Sequence, residues 1–422
     1  MSIFDTGYLK KQAPLFYQEL VSIRRTLHAH PELGTHEQET DALILGYLKE
    51  WGIPFRFPVA DTGIVATVTG KLKEGADASH LTDPHAARAA SAVRPVVVAL
   101  RADIDALPLQ EDKSRPYCSL HDGVMHACGH DAHTAIALGV AHYLKLHEEA
   151  WSGTVRFFFQ PAEETCGGAA RMIGEGCMED PKVDYVIGLH VMPHIDCGQV
   201  ELRYQDLNAA SDELTILVHG TSAHCAAPEE SVDAIVMAAA VIQSLQTIVS
   251  RSLSPFKTAV LSLGTIEGGH AHNIIADQVK IRGALRTTDP QTRQLFHQKI
   301  RQIVEDTCHA YGGTGELIIT PGYDALINDS RIVEVVREAA ACRLGEENIH
   351  LKDAPSLGVE DFSFFLNHAP GAFYHLGCGC KEKGITAPLH NPQFDIDERA
   401  LALGFELQTA IVGRLLQMGP AR

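Results

Sequence analysis

Between residues 14 and 190 the apolar positions switch repeatedly between two spacings. Recurrences of three and four residues predict helices near 14–29, 38–51 and 132–148, and apolar runs at Ile64–Val68, Val96–Leu100, Val155–Phe159 and Tyr185–Leu189 predict strands. Such alternation predicts an α/β domain with a helix-covered, mostly parallel sheet. After Cys197 the order changes to strand 213–219, helix 232–250, strand 259–266, strand 278–287, helix 291–311 and strand 315–320. This is the β-α-β-β-α-β order of an α+β ferredoxin-like module. Alternation resumes with a helix near 330–343, a strand at Ala372–Leu376 and a helix near 398–417. The pattern thus predicts one domain built from 1–198 and 321–422, carrying an inserted ferredoxin-like domain at 199–320.

Composition narrows the class without changing that picture. The 422 residues suffice for two or three domains at about 150 residues each. With 45% hydrophobic and 21% charged residues the chain reads as globular. Its formal charge of −18 repels phosphate backbones and anionic lipid, which excludes nucleic acid and membrane surfaces as expected partners. The opening MSIFDTGYLKKQAPLFYQEL has no continuous apolar core with a small-residue cleavage site, so the expected location is cytoplasmic. Ten cysteines follow no disulfide spacing, which suits reduced thiols. The uncharged run from Ala234 to Ser250 carries Gln243, Ser244, Gln246, Thr247 and Ser250, and reads as a buried amphipathic or interface helix. The segment from Lys71 to Arg94 reads as a surface insertion.

Chemistry gathers where the strand-like runs end, the edge at which α/β sheets collect functional groups. PVVVAL leads into Arg101-Ala102-Asp103-Ile104-Asp105, VRFFF into Gln160-Pro161-Ala162-Glu163-Glu164, and YVIGL into His190. Between the first two lies Met125-His126-Ala127-Cys128-Gly129-His130-Asp131, a turn that opens a helix, and Leu389-His390-Asn391-Pro392 forms a late loop. Thiolate, imidazole and carboxylate are ligands for zinc, manganese or cobalt. Four or five ligands drawn from Cys128, His130, Glu164, His190 and His390 exceed the three of a mononuclear catalytic zinc and point to two ions, about 3.5 to 4 Å apart. Adjacent glutamates can divide the labour, one binding metal while the other takes a proton from activated water. Order along the chain alone leaves open which does which. No HExxH helix, GxGxxG turn or GxxxxGK[ST] loop is present.

The segments LHAHPELGTHEQET, ALRADIDALP, MHACGHDAHT, FFQPAEET, GLHVMP, NIIAD, RTTD, GVEDFSFF and LHNPQFD, taken in order, resemble the metal-dependent aminoacylase and carboxypeptidase clan. The similarity is to its amidohydrolase branch of hippurate hydrolase, indoleacetyl-amino-acid hydrolase and N-acetyl-diaminopimelate deacetylase. It implies a di-metal exopeptidase-like catalytic domain with an inserted dimerisation or lid domain. It also implies two divalent ions per subunit, zinc or manganese with cobalt or nickel as further choices, held by Cys128, His130, Glu164, His190 and His390. Glu163 is then the general base, and Asp103 orients a ligand and raises its basicity. His224 of TSAHCAAP resembles a lid histidine that reaches the partner subunit's active site, and Asn273 of NIIAD an asparagine of the same oxyanion site. Arg286 of RTTD is the implied carboxylate-binding residue, with Arg282 on the same strand able to take that part. The chain departs from the clan at Ala276, where relatives carry proline, and in the length of the 71–94 connection.

The expected function is hydrolysis of the amide bond of N-acyl amino acids by a homodimer or higher homo-oligomer. Two alternatives stand beside it. One is a dipeptidase or carboxypeptidase of the same clan. The other is a non-catalytic binding protein, whose sign would be a missing base or ligand.

Overall fold

The long apolar runs are strands buried on both faces. In the computed structural model, which describes residues 2–72, 94–112 and 115–421, they assemble into one eight-stranded sheet. Of the insertion read at 71–94, residues 73–93 lie outside the described residues. The strands are β1 (Phe55–Val59), β2 (Gly63–Lys71), β3 (Val97–Asp103), β4 (Ser152–Gln160), β5 (Tyr185–Asp196), β6 (Val200–Leu202), β13 (Ile349–Leu351) and β14 (Gly371–Gly379). Their order is β1-β2-β4-β3-β5-β14-β6-β13. The four central strands β4, β3, β5 and β14 run parallel, and antiparallel pairs flank them. Phe157, Phe158 and Phe159 are all fully buried, two toward one face and one toward the other. Each such side chain contributes about 1.5–3 kcal/mol.

Helix α1 (Thr6–Ala29), the helix His130–Leu146 and the helix Arg399–Gln417 pack on one another beside this sheet. Helix α1 starts eight residues before the expected position. Asp5 caps it by accepting from the Tyr8 N–H at 3.0 Å. Leu9, Ala13, Phe16, Leu20 and Leu27 form its buried stripe, and Pro14 is tolerated because Pro14 and Lys10 both face solvent.

These elements form one compact unit of Met1–Gln205, Asn328–Asp353 and Phe364–Arg422. A second unit comprises Asp206–Ile327 and Ala354–Ser363. The chain passes between the units at 205/206, 327/328, 353/354 and 363/364. Strand β6 pairs with β13 and β14 and so ties its residues to the large sheet.

The second unit contains β7 (Gln205–Asn208), β8 (Ala210–His219), β9 (Ala259–Gly268), β10 (Gln278–Thr287), β11 (Thr314–Pro321) and β12 (Leu326–Asn328). Its antiparallel sheet has the order β11-β8-β10-β9, the ferredoxin-like arrangement, and β7 pairs with β12 in a separate ribbon. The run at 234–250 supplies the helix Ala234–Thr247, which buries Ala234, Met237, Ala238, Val241 and Leu245. By length and composition Ala234–Ser252 could cross a membrane. Here that stripe belongs to the core of the small unit, alongside Ile216, Ile281 and Phe296.

Candidate metal centre

Register brings the chemistry to one level of the large sheet. Asp103 at the end of β3 lies opposite Gln160 at the end of β4, and Arg101 lies opposite Gly188 of β5. Two residues further along, His190 reaches the height of Asp103. The structure corrects one expectation here, because β5 does not stop before His190. It continues to Asp196 through its pairing with β14, so His190 is a mid-strand residue that projects beyond its shorter neighbours.

The second histidine of the expected set follows a turn that only glycine can make. Gly129 has φ 87°, and a Cβ there would lie 2.3 Å from Val191 Cγ2. The chain enters the helix His130–Leu146 from this turn, with Cys128 just before it. The ligand atoms of Cys128, His130 and His190 lie within 4.8 Å of one another, as do those of Cys128, Glu164 and His390. Cys128 Sγ is 3.3 Å from His190 Nε2, and His390 Nε2 is 3.1 Å from Glu164 Oε1. His390 has φ 59°, and its N–H donates to the Ala127 carbonyl at 2.8 Å, so the late loop is tied to the cysteine turn. All five expected ligands thus meet within the large unit.

Hydrogen bonding sets the imidazole tautomers. His190 Nδ1 lies 2.8 Å from the Val191 carbonyl, which can only accept, so Nδ1 carries the proton and Nε2 presents a lone pair toward Cys128. His130 Nδ1 lies 2.9 Å from the Asp105 carbonyl, so its Nε2 is the nitrogen left to face the cluster. That Nε2 is a buried polar atom without a hydrogen-bond partner. Such an orphan, with a soft thiol and a carboxylate around it, fits a divalent metal ion.

Electrostatics agree. Burial alone disfavours charge on His130, yet Asp103 and Cys128 outweigh it and push the imidazole well up. Surroundings that hold a proton there also hold a cation. Burial, helped by His133, drives His190 well down and keeps it neutral, as a ligand must be. Burial pushes the Cys128 thiol well up.

The acidic doublet follows β4 through a strained turn. Ala162 has φ 57°, which costs about 1–2 kcal/mol for a residue with a Cβ. Buried Glu37 holds the turn by accepting from the Ala162 N–H at 2.9 Å and the Thr62 hydroxyl at 2.6 Å. Gly168 permits it, since a Cβ there would lie 2.0 Å from the Pro161 carbonyl. Glu163 and Glu164 each place an oxygen within 4.8 Å of a His130 nitrogen, and Glu163 is only 8% exposed. Burial would raise Glu164, but His390 and His130 hold it below the usual carboxylate range.

Asp103 does not bond the Nδ1 side of His130. Its Oδ1 lies 2.6 Å from His133 Nδ1, its other oxygen takes the Arg101 guanidinium, and it faces the metal-side nitrogen of His130 at 3.6 Å. His133 Nε2 in turn accepts the Val191 N–H at 2.9 Å. The orienting carboxylate is Asp105, which sequence reasoning passed over. Its Oδ1 lies 3.2 Å from His130 Nδ1, and its Oδ2 accepts the Glu164 N–H at 2.9 Å. The second aspartate of RADID, two residues on, was the available signal. Also missed was Asp131, which takes Arg24 Nε and His28 Nδ1, each at 2.8 Å, and so anchors the start of the His130 helix.

Asp105→Asn leaves one face of this clamp mispaired. The expected result is a fall of about 10- to 100-fold in metal affinity or turnover, read by competition with a chromogenic chelator.

The remaining expected residues lie in the small unit. His224 and Asn273 occupy neighbouring exposed loops there, joined by a bridge from His224 to Ile274 and by the Cys225 N–H to the Asn273 carbonyl at 3.1 Å. Arg286 on β10 is half-buried, with Nη1 lacking a hydrogen-bond partner, whereas Arg282 is exposed.

A profile described as peptidase family M20/M25/M40 matches residues 99–414. The chain is 38% identical over 385 residues to the N-acetyl-L-cysteine deacetylase of Bacillus subtilis, covering 91% of this chain and 85% of that protein. It is 36% identical over 406 residues to the IAA-amino acid hydrolase ILR1-like 4 of Arabidopsis thaliana, covering 95% and 86%. Among solved structures, the Bacillus subtilis YXEP protein, described as a dinuclear metal binding peptidase from the M20 family, superimposes with a TM-score of 0.79 at 31% identity, covering 96% of this chain and 99% of that one.

Proposed function

Because the chain belongs to peptidase family M20/M25/M40 and is a hydrolase of amide bonds, we propose that it cleaves the acyl group from N-acyl amino acids. The observation that carries the reading is the acidic doublet beside His130, at a centre whose two buried histidines are each held through Nδ1 by a backbone carbonyl, which leaves Nε2 for a metal. Two relatives named for N-acetyl-L-cysteine and for IAA-amino acid support an acylated amino acid as substrate over an unblocked peptide.

Cys128, His130, Glu164, His190 and His390 would hold a pair of divalent ions. Such ions, when bound, polarise a carbonyl and make water acidic enough to ionise near neutral pH. Glu163 takes the proton from the attacking water, holds it at a carboxylate oxygen, and passes it to the departing amino-acid nitrogen. Asp105 keeps His130 and the Glu164 backbone in place throughout. His224 and Asn273 would donate to the developing oxyanion, and Arg286 would take the substrate carboxylate through its unpartnered guanidinium edge.

A homodimer suits the small unit. Strand β9 is the edge of its sheet, and Ile235, Val236, Val260, Ile266 and Ile274 are exposed apolar residues of that unit.

The test is release of free amino acid from N-acetyl-L-cysteine, N-acetyl-L-methionine, hippurate and indoleacetyl-alanine, set against Gly-Leu. The protein is stripped of metal and refilled with zinc, manganese, cobalt or nickel in turn. Faster turnover of the acylated compounds is expected. Faster cleavage of Gly-Leu under every metal would replace this reading with a dipeptidase.

A further inference from the structure

The large unit holds a second polar hollow, of about 430 Å3, away from the metal centre. Arg56 on β1 lies opposite Val65 of β2, and Arg156 on β4 lies opposite Thr67. Val65 and Thr67 are two residues apart and share a face, so both guanidiniums lie on one face of the sheet. Arg156 sits four residues before the end of β4, about 13 Å along the strand from the level of the metal centre.

Arg156 is only 6% exposed. Its Nη1 donates to the Glu179 and Pro181 carbonyls at 2.5 and 3.3 Å. Nε is buried without an acceptor, and Nη2 makes no hydrogen bond among the described residues. Neither Arg56 nor Arg156 makes an ion pair among the described residues. Burial, with Arg56 alongside, weakens the hold of Arg156 on its proton. A buried guanidinium with no carboxylate in contact, only Glu179 and Asp180 at longer range, leaves its edge open to an anion.

The acidic part of the lining restricts which anion fits. Glu175 accepts the Ala60 N–H at 3.1 Å. Glu179 and Asp180 also line the hollow, and their carboxylates make no ion pair among the described residues. A simple anion would leave those two carboxylates unmatched and repelled, and a simple amine would leave the arginines bare.

We propose that this hollow binds a small zwitterion of the free amino acid type, its carboxylate against Arg56 and Arg156 and its ammonium against Glu179 and Asp180. The proposal is independent of the reaction assigned to the metal centre.

Calorimetric titration of the full chain with glycine and with L-alanine tests it, with acetate and methylamine as single-charge probes. Saturable binding in the millimolar range or tighter is expected. Arg56→Gln and Glu179→Gln each weaken it about 10- to 100-fold, while N-acyl amino acid turnover is unchanged. Arg156→Met gives the same loss if it folds, and the two exposed-residue variants decide the matter if it does not. Equal affinity in wild type and Arg56→Gln overturns the proposal, as does acetate binding as tightly as glycine, or no binding heat at all.

Discussion

Glu163→Gln lowers turnover of an N-acyl amino acid by about 10²- to 10⁴-fold, while bound metal and thermal unfolding stay at wild-type values. The amide keeps the shape of the side chain but cannot accept a proton. Glu163 is buried, within 4.8 Å of His130 and Glu164, so no bulk-water base reaches its place easily. Steady-state rates and metal analysis on the same sample separate the two glutamates. If Glu163→Gln loses metal and Glu164→Gln instead loses only turnover, the roles are exchanged. Wild-type turnover in Glu163→Gln ends the general-base assignment.

Cys128→Ala has the other large expected effect. Metal content falls below two ions per chain, and turnover falls on the order of 10³-fold, since a Lewis-acid contribution of several kcal/mol is weakened. The thiol also leaves a signature in proton release. Burial pushes Cys128 well above its ordinary value, so it is neutral at pH 7 and must give up its proton to ligate. Metal binding then releases a proton from Cys128, and affinity rises with pH. Calorimetry in buffers of different ionisation enthalpy should find one proton fewer released by Cys128→Ala. Identical proton release and metal content in the two proteins would remove Cys128 from the ligand set.

The legible parts of the fold are those where one physical signal acts alone. Strands β3, β4 and β5 are buried on both faces, so they read as unbroken apolar runs. The small unit alternates strongly enough that its six main elements were expected in order. Strands β6 and β13 are three residues each, too short for any period to show. Strand β1 is exposed along four of its five residues and contains Pro58, which reads against a strand. The candidate ligands are legible because thiol, imidazole and carboxylate stand out beside apolar runs. Asp105 stood in plain view in RADID, but its role rests on a backbone hydrogen bond to Glu164, and the order of residues does not show that partner. The Arg24, His28 and Asp131 cluster escaped for a similar reason. Asp131 is more than a hundred residues from Arg24 and His28 along the chain and meets them only on folding.

The ribbon of β7 with β12 bears on how such a molecule can assemble. Strands β5 and β14 are parallel neighbours, yet the whole small unit intervenes between them along the chain. Closing so long a loop is slow when its contents are loose. Once the inserted unit has collapsed on its own core, the ribbon holds its entry and exit side by side, and the search for β14 shortens to that of a modest connection. Pulse-labelled hydrogen exchange should accordingly protect β8 and β10 before β14, making the insert an early scaffold for the half of the barrier that comes late.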